Sequence, residues 1–169
     1  MEAFTGGVSP TTTFINGVAV VQYPFKGGLT YVFYWNSSGT LSFLHGNKIS
    51  GGVNSYSDKS ITVGSSTVSN NSNNSPLAAA LTSDGNIHVF YADNKASRLL
   101  TEIIYNPNTN TWSTGTLSTL QLLVHDESGI GASNEPILKV VFQSKGQSSS
   151  ITEAWWDPSG PQWNSMVIS

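Results

Sequence analysis

The sequence predicts an all-β fold in which short four-stranded antiparallel sheets are arranged as the blades of a propeller. Three observations lead to this prediction. Apolar residues recur at every second position, a spacing that is typical of strands and not of helices. Turn dipeptides such as Ser38-Gly39 and Asp84-Gly85 separate the apolar segments. A similar pattern returns about every 50 residues, which is the size of a propeller blade.

Ten segments of the 169-residue chain have the strand pattern, and they are rich in β-branched and aromatic residues. No segment has a clear helical period, although residues 119–124 fit a helical turn, a strand or a connection equally well. The tract 65–75, rich in serine and asparagine, is expected to be a solvated loop. The predicted strands are 18–23, 29–35, 40–45, 77–81, 86–91, 99–105, 111–115, 137–142, 150–156 and 162–168.

The repeat becomes visible when three apolar segments are superimposed. Tyr31, His88 and Lys139 take the same place in these segments, with offsets of 57 and 51 residues. We therefore expect one propeller-like domain over residues 1–169, with units at roughly 14–64, 76–118 and 120–169. A β-sandwich is the alternative, since its hairpins alternate in the same way. Three blades cannot close a ring, so we expect a second chain to complete it, unless this chain is half of a longer one.

The composition excludes several classes of function. Seven Lys and Arg stand against ten Asp and Glu, a net charge of −3, so nucleic acid is not an expected partner. No apolar segment approaches the length of a membrane span, and no signal peptide is recognisable at the start. We expect a cytoplasmic protein, or one secreted without a recognisable signal.

No motif indicates a metal site, a cofactor or a catalytic nucleophile. The chain has no cysteine and three scattered histidines, which do not form a metal-binding pattern. Neither a phosphate-binding loop nor a nucleotide-binding glycine motif is present. The segment His125-Asp126-Glu127-Ser128 contains the residue types of a catalytic triad, but adjacent residues cannot converge as a triad does. We therefore predict no catalytic residue, no metal and no cofactor.

Short motifs recur in the second and third units. The second reads Ile87-His88-Val-Phe-Tyr91, Leu100-Thr-Glu102-Ile-Ile-Tyr105 and Trp112-Ser-Thr-Gly115-Thr-Leu117, and the third reads Leu138-Lys139-Val-Val-Phe142, Ile151-Thr-Glu153-Ala-Trp155-Trp156-Asp157 and Trp163. This unit resembles the blade of the fungal fucose-specific lectins of the Aleuria type, which are six-bladed β-propellers. The resemblance implies the propeller fold and a sugar ligand.

The resemblance also implies where a ligand would bind. In lectins of this type fucose sits between blades, where an Arg and a Glu bind its hydroxyl groups and aromatic rings cover its apolar side. The Arg position holds Tyr31, His88 and Lys139 here, so none of the three units has the planar guanidinium at this position. The first unit, with Tyr31 and Phe43 at the Arg and Glu positions, lacks this chemistry. The implied ligand-binding residues are Lys139, Glu153, Trp156, Trp163, His88, Glu102, Tyr105 and Trp112.

The leading functional hypothesis is a non-enzymatic, carbohydrate-binding, lectin-like protein with pockets between its blades, assembled as a homodimer or homo-oligomer. Several weak pockets on one ring bind clustered glycans with high avidity. Two alternatives stay open. One is an enzyme of fungal natural-product biosynthesis that uses the same scaffold to steer a cycloaddition by orienting its substrate. The other is an interaction module without a small ligand.

Overall fold

Apart from two short 3₁₀ turns, the regular structure in the computed structural model is β-strand; the residues described are 17–24, 28–46, 56–70, 75–146 and 150–169. Strands form where apolar residues alternate with polar ones, as in β1, where Ala19, Val21 and Tyr23 are buried and their neighbours are exposed. The strands are β1 (Val18–Tyr23), β2 (Leu29–Trp35), β3 (Leu41–Gly46), β4 (Tyr56–Ser60), β5 (Thr62–Val63), β6 (Ser66–Thr67), β7 (Leu77–Leu81), β8 (Ile87–Asp93), β9 (Leu99–Asn106), β10 (Thr111–Thr114), β11 (Ile130–Asn134), β12 (Leu138–Gln143), β13 (Ile151–Asp157) and β14 (Gln162–Val167).

Three four-stranded antiparallel sheets form the body of the molecule, and we call them blades 1, 2 and 3. Blade 1 is β1-β2-β3-β4, blade 2 is β7-β8-β9-β10 and blade 3 is β11-β12-β13-β14, each a meander in chain order. Strand β7 lies against both β1 and β11, so the first strands of the three blades stand side by side. The two-stranded hairpin of β5 and β6 follows blade 1 and packs through β5 on β10.

Blade 2 is buried on both faces because it is packed between the other two blades. One face carries Ile87, Val89 and Tyr91 and belongs to the core shared with blade 1. The other face carries Phe90 and Leu100 and belongs to the core shared with blade 3. Successive residues of a strand point to opposite faces, so the continuous apolar segment of β8 serves both cores. These two cores hold the three blades against each other.

The outer faces of blades 1 and 3 carry exposed apolar side chains. On β1, Val18 and Val20 are 48% and 58% exposed. On β14, Met166 lies opposite Glu153 in the register and is 52% exposed. Within the described chain, no further blade packs on either of these faces.

The predicted fold class is confirmed, and the blades stand side by side rather than as the two stacked layers of a β-sandwich. All ten predicted strands are present, with ends shifted by no more than two residues. The strand pattern does not predict β4, β5, β6 or β11. β5 and β6 are two residues long, and β4 (Tyr-Ser-Asp-Lys-Ser) is mostly polar. In β11 the alternation is limited to Ile130 and Ala132, which is too short to detect.

The loop predicted for residues 65–75 is wrong in part. Ser66–Thr67 is strand β6, and the side chains of Asn70 and Ser75 are buried and both donate to the backbone carbonyl of Ala92. Residues 71–74 lie outside the described part of the chain, as do residues 14–16 and 47–55 of the predicted first unit. Residues 119 and 120 end the 3₁₀ turn Leu117–Leu120. Residues 121–124 form a connection in which Leu123 and Val124 make isolated β-bridges.

Within the described ranges, no helix has the length and apolar character needed to cross a membrane. No three side chains of His, Asp or Glu are grouped there as a metal site requires.

The packing between blades 2 and 3 predicts a large effect of Phe90→Ala. Phe90 is fully buried, and its ring meets the Trp163 ring edge to face with centroids 6.0 Å apart. We expect the substitution to lower the free energy of unfolding by about 3–5 kcal/mol, measured by urea denaturation. The control Ser113→Ala, at an exposed position of β10, should change it by less than about 0.5 kcal/mol. Equal effects of the two substitutions would contradict this packing.

Candidate functional site

A cavity of about 510 Å³ opens at the junction of blades 2 and 3. Blade 2 contributes His88 from β8, Glu102 from β9 and the end of β10 with the residues that follow it, 114–116. Blade 3 contributes Trp156 from β13 and Trp163 from β14. The cavity therefore combines ionisable groups from one blade with aromatic rings from the next.

Glu102 is the buried charged group of this cavity, with a side chain only 2% exposed. Its Oε1 lies 2.7 Å from Nδ1 of His88. Its Oε2 accepts hydrogen bonds from the indole Nε1–H of Trp163 at 3.1 Å and from the backbone N–H of Leu117 at 3.3 Å. Burying a carboxylate is costly unless donors replace the water that it loses. Here three N–H groups from two blades replace that water.

His88 meets Glu102 because of the register between β8 and β9. Phe90 is paired with Glu102, and His88 comes two residues earlier on the same face of β8, so the two side chains are diagonal neighbours. A carboxylate can only accept, so the short contact assigns a proton to Nδ1 of His88. In the neutral ring, Nε2 is then left as an acceptor.

Gly115 makes room for the buried carboxylate. Its N–H donates to the backbone carbonyl of Glu102 at 2.9 Å. A Cβ at this position would overlap the carboxyl group of Glu102. The chain then turns into the 3₁₀ turn Leu117–Leu120, and the N–H of Leu117 points back to Glu102. The glycine at this place in the repeat is therefore required by the position of Glu102.

Trp156 and Trp163 form the aromatic wall of the cavity. They face each other in the register between β13 and β14, with ring centroids 6.0 Å apart and ring planes at 68°. Trp163 is buried and held by its hydrogen bond to Glu102 and by the ring of Phe90. Trp156 is half-buried. Its ring is therefore the aromatic surface that a ligand in the cavity can reach.

Asp84 adds a second carboxyl group that the sequence did not single out. It lies in the turn between β7 and β8 and lines the cavity. Burial acts to raise its pKa, but hydrogen bonds from Thr82 and from the backbone and side chain of Asn86 lower it by more. The nearby His88 also lowers the pKa. The pKa of Asp84 therefore lies below its ordinary value. The only signal in the sequence was the turn dipeptide Asp84-Gly85, which does not indicate a cavity.

Tyr105 and Trp112 lie at the other junction, between blades 1 and 2. Their ring centroids are 4.8 Å apart, and the rings of Tyr31 and Phe43 pack on Tyr105 at 5.8 and 6.1 Å. Burial, together with the neighbouring Tyr105, raises the pKa of Tyr31 to about 12. This junction repeats the arrangement around Glu102 with aromatic residues in place of His88 and Glu102. The ligand-binding role of Tyr105 and Trp112 stays a prediction.

Lys139 and Glu153 form an ion pair, with Nζ 3.0 Å from Oε1. They lie on the outer face of blade 3, since Val140 and Ala154, their neighbours along the strands, are buried against blade 2. Trp156 and Trp163 project from the opposite face. The eight residues implied by the resemblance therefore lie in three places, and His88, Glu102, Trp156 and Trp163 are the four that the cavity brings together.

Arg98 precedes Glu102 by four residues but lies away from this cavity. Its guanidinium donates to the backbone carbonyls of Val124 and His125 and to the side chain of Asn94. It also lies 3.5 Å from Asp126. Arg98 therefore ties the connection before blade 3 to blade 2 and does not replace the missing donor beside Glu102.

Comparison of the sequence alone with known proteins finds no relative. No protein-family model matches it. No curated protein matches it either.

Comparison of the structure with solved structures finds propeller lectins. Aleuria aurantia lectin, in complex with Fucα1-6GlcNAc, has a TM-score of 0.67 and 20% sequence identity, over 94% of this chain and 50% of that one. The protein AofleA of Arthrobotrys oligospora has a TM-score of 0.69 and 15% identity, over 94% and 43% of the two chains. A fucose lectin from Kordia zhangzhouensis, in complex with methyl-fucoside, has a TM-score of 0.53 and 18% identity, over 90% and 98%.

The resemblance to Aleuria-type lectins that the motifs indicate is thus confirmed at the level of the fold. The chain spans about half the length of the first two lectins and nearly the whole length of the third. The Aleuria aurantia lectin is itself described as a six-bladed β-propeller. The three blades of this chain therefore correspond to half of such a ring.

The close approach of Gly115 to Glu102 predicts that these two positions are coupled. Gly115→Ala must push the carboxyl group away from its donors, and we expect it to lower the free energy of unfolding by about 1–3 kcal/mol. In a Glu102→Ala background the added methyl group has room, so the two effects should fall short of additivity by about 0.5 kcal/mol or more. Urea denaturation of the two single variants and the double variant measures this coupling.

Gly131→Ala is the matched control for this cycle. The nearest atom to a Cβ at Gly131 is the carbonyl oxygen of Val141 at 4.0 Å, so we expect a change within about 0.5 kcal/mol. Strictly additive losses for Gly115→Ala and Glu102→Ala would show that the glycine is not there to accommodate the carboxylate.

Proposed function

We propose that this chain is a lectin-like protein that binds carbohydrate in the cavity between blades 2 and 3. The observation that carries the proposal is a buried carboxylate, Glu102, held in place beside a half-buried tryptophan ring, Trp156, in a cavity of about 510 Å³. A saccharide needs both groups, because it offers hydroxyl groups in fixed directions and one apolar C–H face.

The polar side of a sugar finds several partners in this cavity. His88, Asp84 and Glu102 supply acceptors, and the side chains of Asn86 and Asn134 supply both donors and acceptors. Because Trp163 and Leu117 already donate to Glu102, the carboxylate keeps its position when a ligand enters or leaves. Such preorganisation lowers the entropic cost of binding.

The apolar side of the sugar would pack on Trp156. Its ring lies near the ring of Trp163, at a centroid distance of 6.0 Å, and the aliphatic side chains of Ile104, Ile137 and Leu138 also line the cavity. Burial of this face supplies the hydrophobic part of the affinity.

The neighbours in fold support a sugar ligand, and their structures contain fucosides in the lectins of Aleuria aurantia and Kordia zhangzhouensis. In this chain His88 stands where the resemblance expects Arg, and imidazole offers fewer donors than the planar guanidinium. We therefore propose a saccharide ligand rather than fucose itself, and an array of glycans would identify it.

We further propose that two copies of the chain close a six-bladed ring, with blade 3 of each copy packed on blade 1 of the other. Val18 and Val20 on the outer face of blade 1, and Met166 on the outer face of blade 3, are exposed, and this packing would bury them. Two copies supply the six blades of the fold that the chain half covers. A ring with repeated pockets would bind clustered glycans with avidity.

The two alternatives of the sequence, a cycloaddition enzyme and an interaction module without a small ligand, stay predictions. A cycloaddition enzyme would bind an apolar substrate in the same cavity. An interaction module without a small ligand would leave the buried Glu102 at this cavity without a function.

Glycan binding is tested with an array probed by the wild-type chain and by Glu102→Gln. The amide keeps the size of the side chain but places an NH₂ group against donors, so we expect loss of at least about tenfold in signal. Glu127→Gln removes an equal charge at an exposed site outside the cavity and should leave the signal unchanged. A third variant, Glu153→Ala, tests whether the Lys139–Glu153 pair also binds.

No signal from the wild-type chain at high density on any neutral, acidic or basic glycan would contradict the proposed function. A signal that Glu102→Gln leaves unchanged, with the variant folded by circular dichroism, would move the site away from this cavity. Loss of signal in Glu153→Ala alone would move it to the outer face of blade 3.

Ring closure is tested by size-exclusion chromatography with light scattering. We expect a dimer for the wild-type chain and a monomer for Val20→Glu, because a carboxylate at the centre of an apolar interface would be buried without a partner. The control Thr109→Glu, in the exposed turn between β9 and β10, should remain a dimer. A wild-type chain that is monomeric at micromolar concentration would exclude closure by a second copy.

A further inference from the structure

The ionisable side chains of the cavity are unbalanced in charge. Among the described residues that line it, these side chains are Asp84, His88 and Glu102, and neither Lys nor Arg is present. Two carboxyl groups therefore face one imidazole. Apart from the imidazole, a ligand with a negative charge would meet no cation in this cavity.

Asp84 is held as an anion by its own turn. Its Oδ2 accepts from the side-chain amide of Asn86 at 2.7 Å, and its Oδ1 accepts from the backbone N–H of Asn86 at 3.2 Å and from the hydroxyl group of Thr82. None of these donors carries a charge, so the negative charge of Asp84 is solvated but not neutralised. Its side chain is exposed, at the mouth of the cavity.

His88 does not offset the negative charge of the two carboxyl groups in the cavity. Its Nδ1–H is used by Glu102, so a neutral ring has only its acceptor nitrogen, Nε2, to offer a ligand. An arginine at this position would carry a permanent positive charge and five donors. The cavity therefore has an excess of acceptors, at a place where the resemblance implies an arginine.

We propose that the preferred ligand of this cavity is a saccharide that carries a protonated amine, with Asp84 as the residue that selects it. This inference rests on the proposed carbohydrate binding and names the class of sugar. An ammonium group donates three hydrogen bonds and accepts none, which matches the acceptors of Asp84 and His88. The face of Trp156 adds a favourable contact for a cation nearby. Uronic acids and sulfated sugars are excluded by repulsion from Asp84 and Glu102.

The test uses three sugars that differ at one carbon. Methyl glucoside, its 6-amino-6-deoxy derivative and the methyl glucuronide carry a hydroxyl, an ammonium and a carboxylate group at C6, and the same series is made in the galacto configuration. Each is titrated into the wild-type chain at neutral pH and low salt, with binding followed by calorimetry. We expect the amine to bind about tenfold more tightly than the hydroxyl compound and the carboxylate to show no binding.

Two variants assign the preference to this cavity. Asp84→Asn removes one negative charge and should reduce the ratio of amine to hydroxyl affinity to about threefold or less. Glu127→Gln makes the same change in net charge outside the cavity and should keep the ratio. High salt should lower the affinity of the amine more than that of the hydroxyl compound, because it screens the charge.

The outcomes separate this inference from the proposed function. Binding of the hydroxyl or carboxylate sugar as tightly as the amine overturns the inference and leaves carbohydrate binding in place. An amine preference that survives Asp84→Asn unchanged overturns the role of Asp84. Absence of binding in both series, together with an empty glycan array, overturns the inference and the proposed function together.

Discussion

One buried carboxylate joins the fold to the cavity. Glu102 has lost its water, and leaving such a group without partners would cost about 3–5 kcal/mol. Its donors come from β8, from the turn after β10 and from β14, which belong to two different blades. The cavity therefore keeps its shape only while blades 2 and 3 are packed together. The geometry of the site and the stability of the junction depend on the same hydrogen bonds.

The two junctions show how one repeat yields two different surfaces. In the register of blade 1, Tyr31 and Phe43 stand where His88 and Glu102 stand in blade 2. At the first junction these rings pack on Tyr105 and fill the space. At the second junction the carboxylate and imidazole cannot pack in that way, and a cavity remains. A change at two positions of the repeat thus decides between a hydrophobic core and a polar cavity.

Much of the fold could be predicted because its strands are dense in β-branched and aromatic residues, and the repeat separated blades from a sandwich. Polar strands such as β4 could not be found, since they form only because neighbouring strands offer hydrogen bonds. For the site, the motif positions of His88 and Glu102 were visible in the sequence. That Trp156 would face this pair, while Lys139 and Glu153 face outward, depends on which side of each blade meets the next. Asp84 reaches the cavity through a turn, and no periodic pattern describes a turn.

The most direct test of the account follows the indole N–H signals by NMR during titration with the best-binding saccharide. The Nε1–H signals of Trp156 and Trp163 should move together in a saturable way, because one ring lines the cavity and the other donates to Glu102. The signal of Trp112, at the filled junction, should stay in place. Movement of Trp112 without movement of Trp156 and Trp163, at a ligand concentration that saturates binding, would contradict a site built on the buried carboxylate.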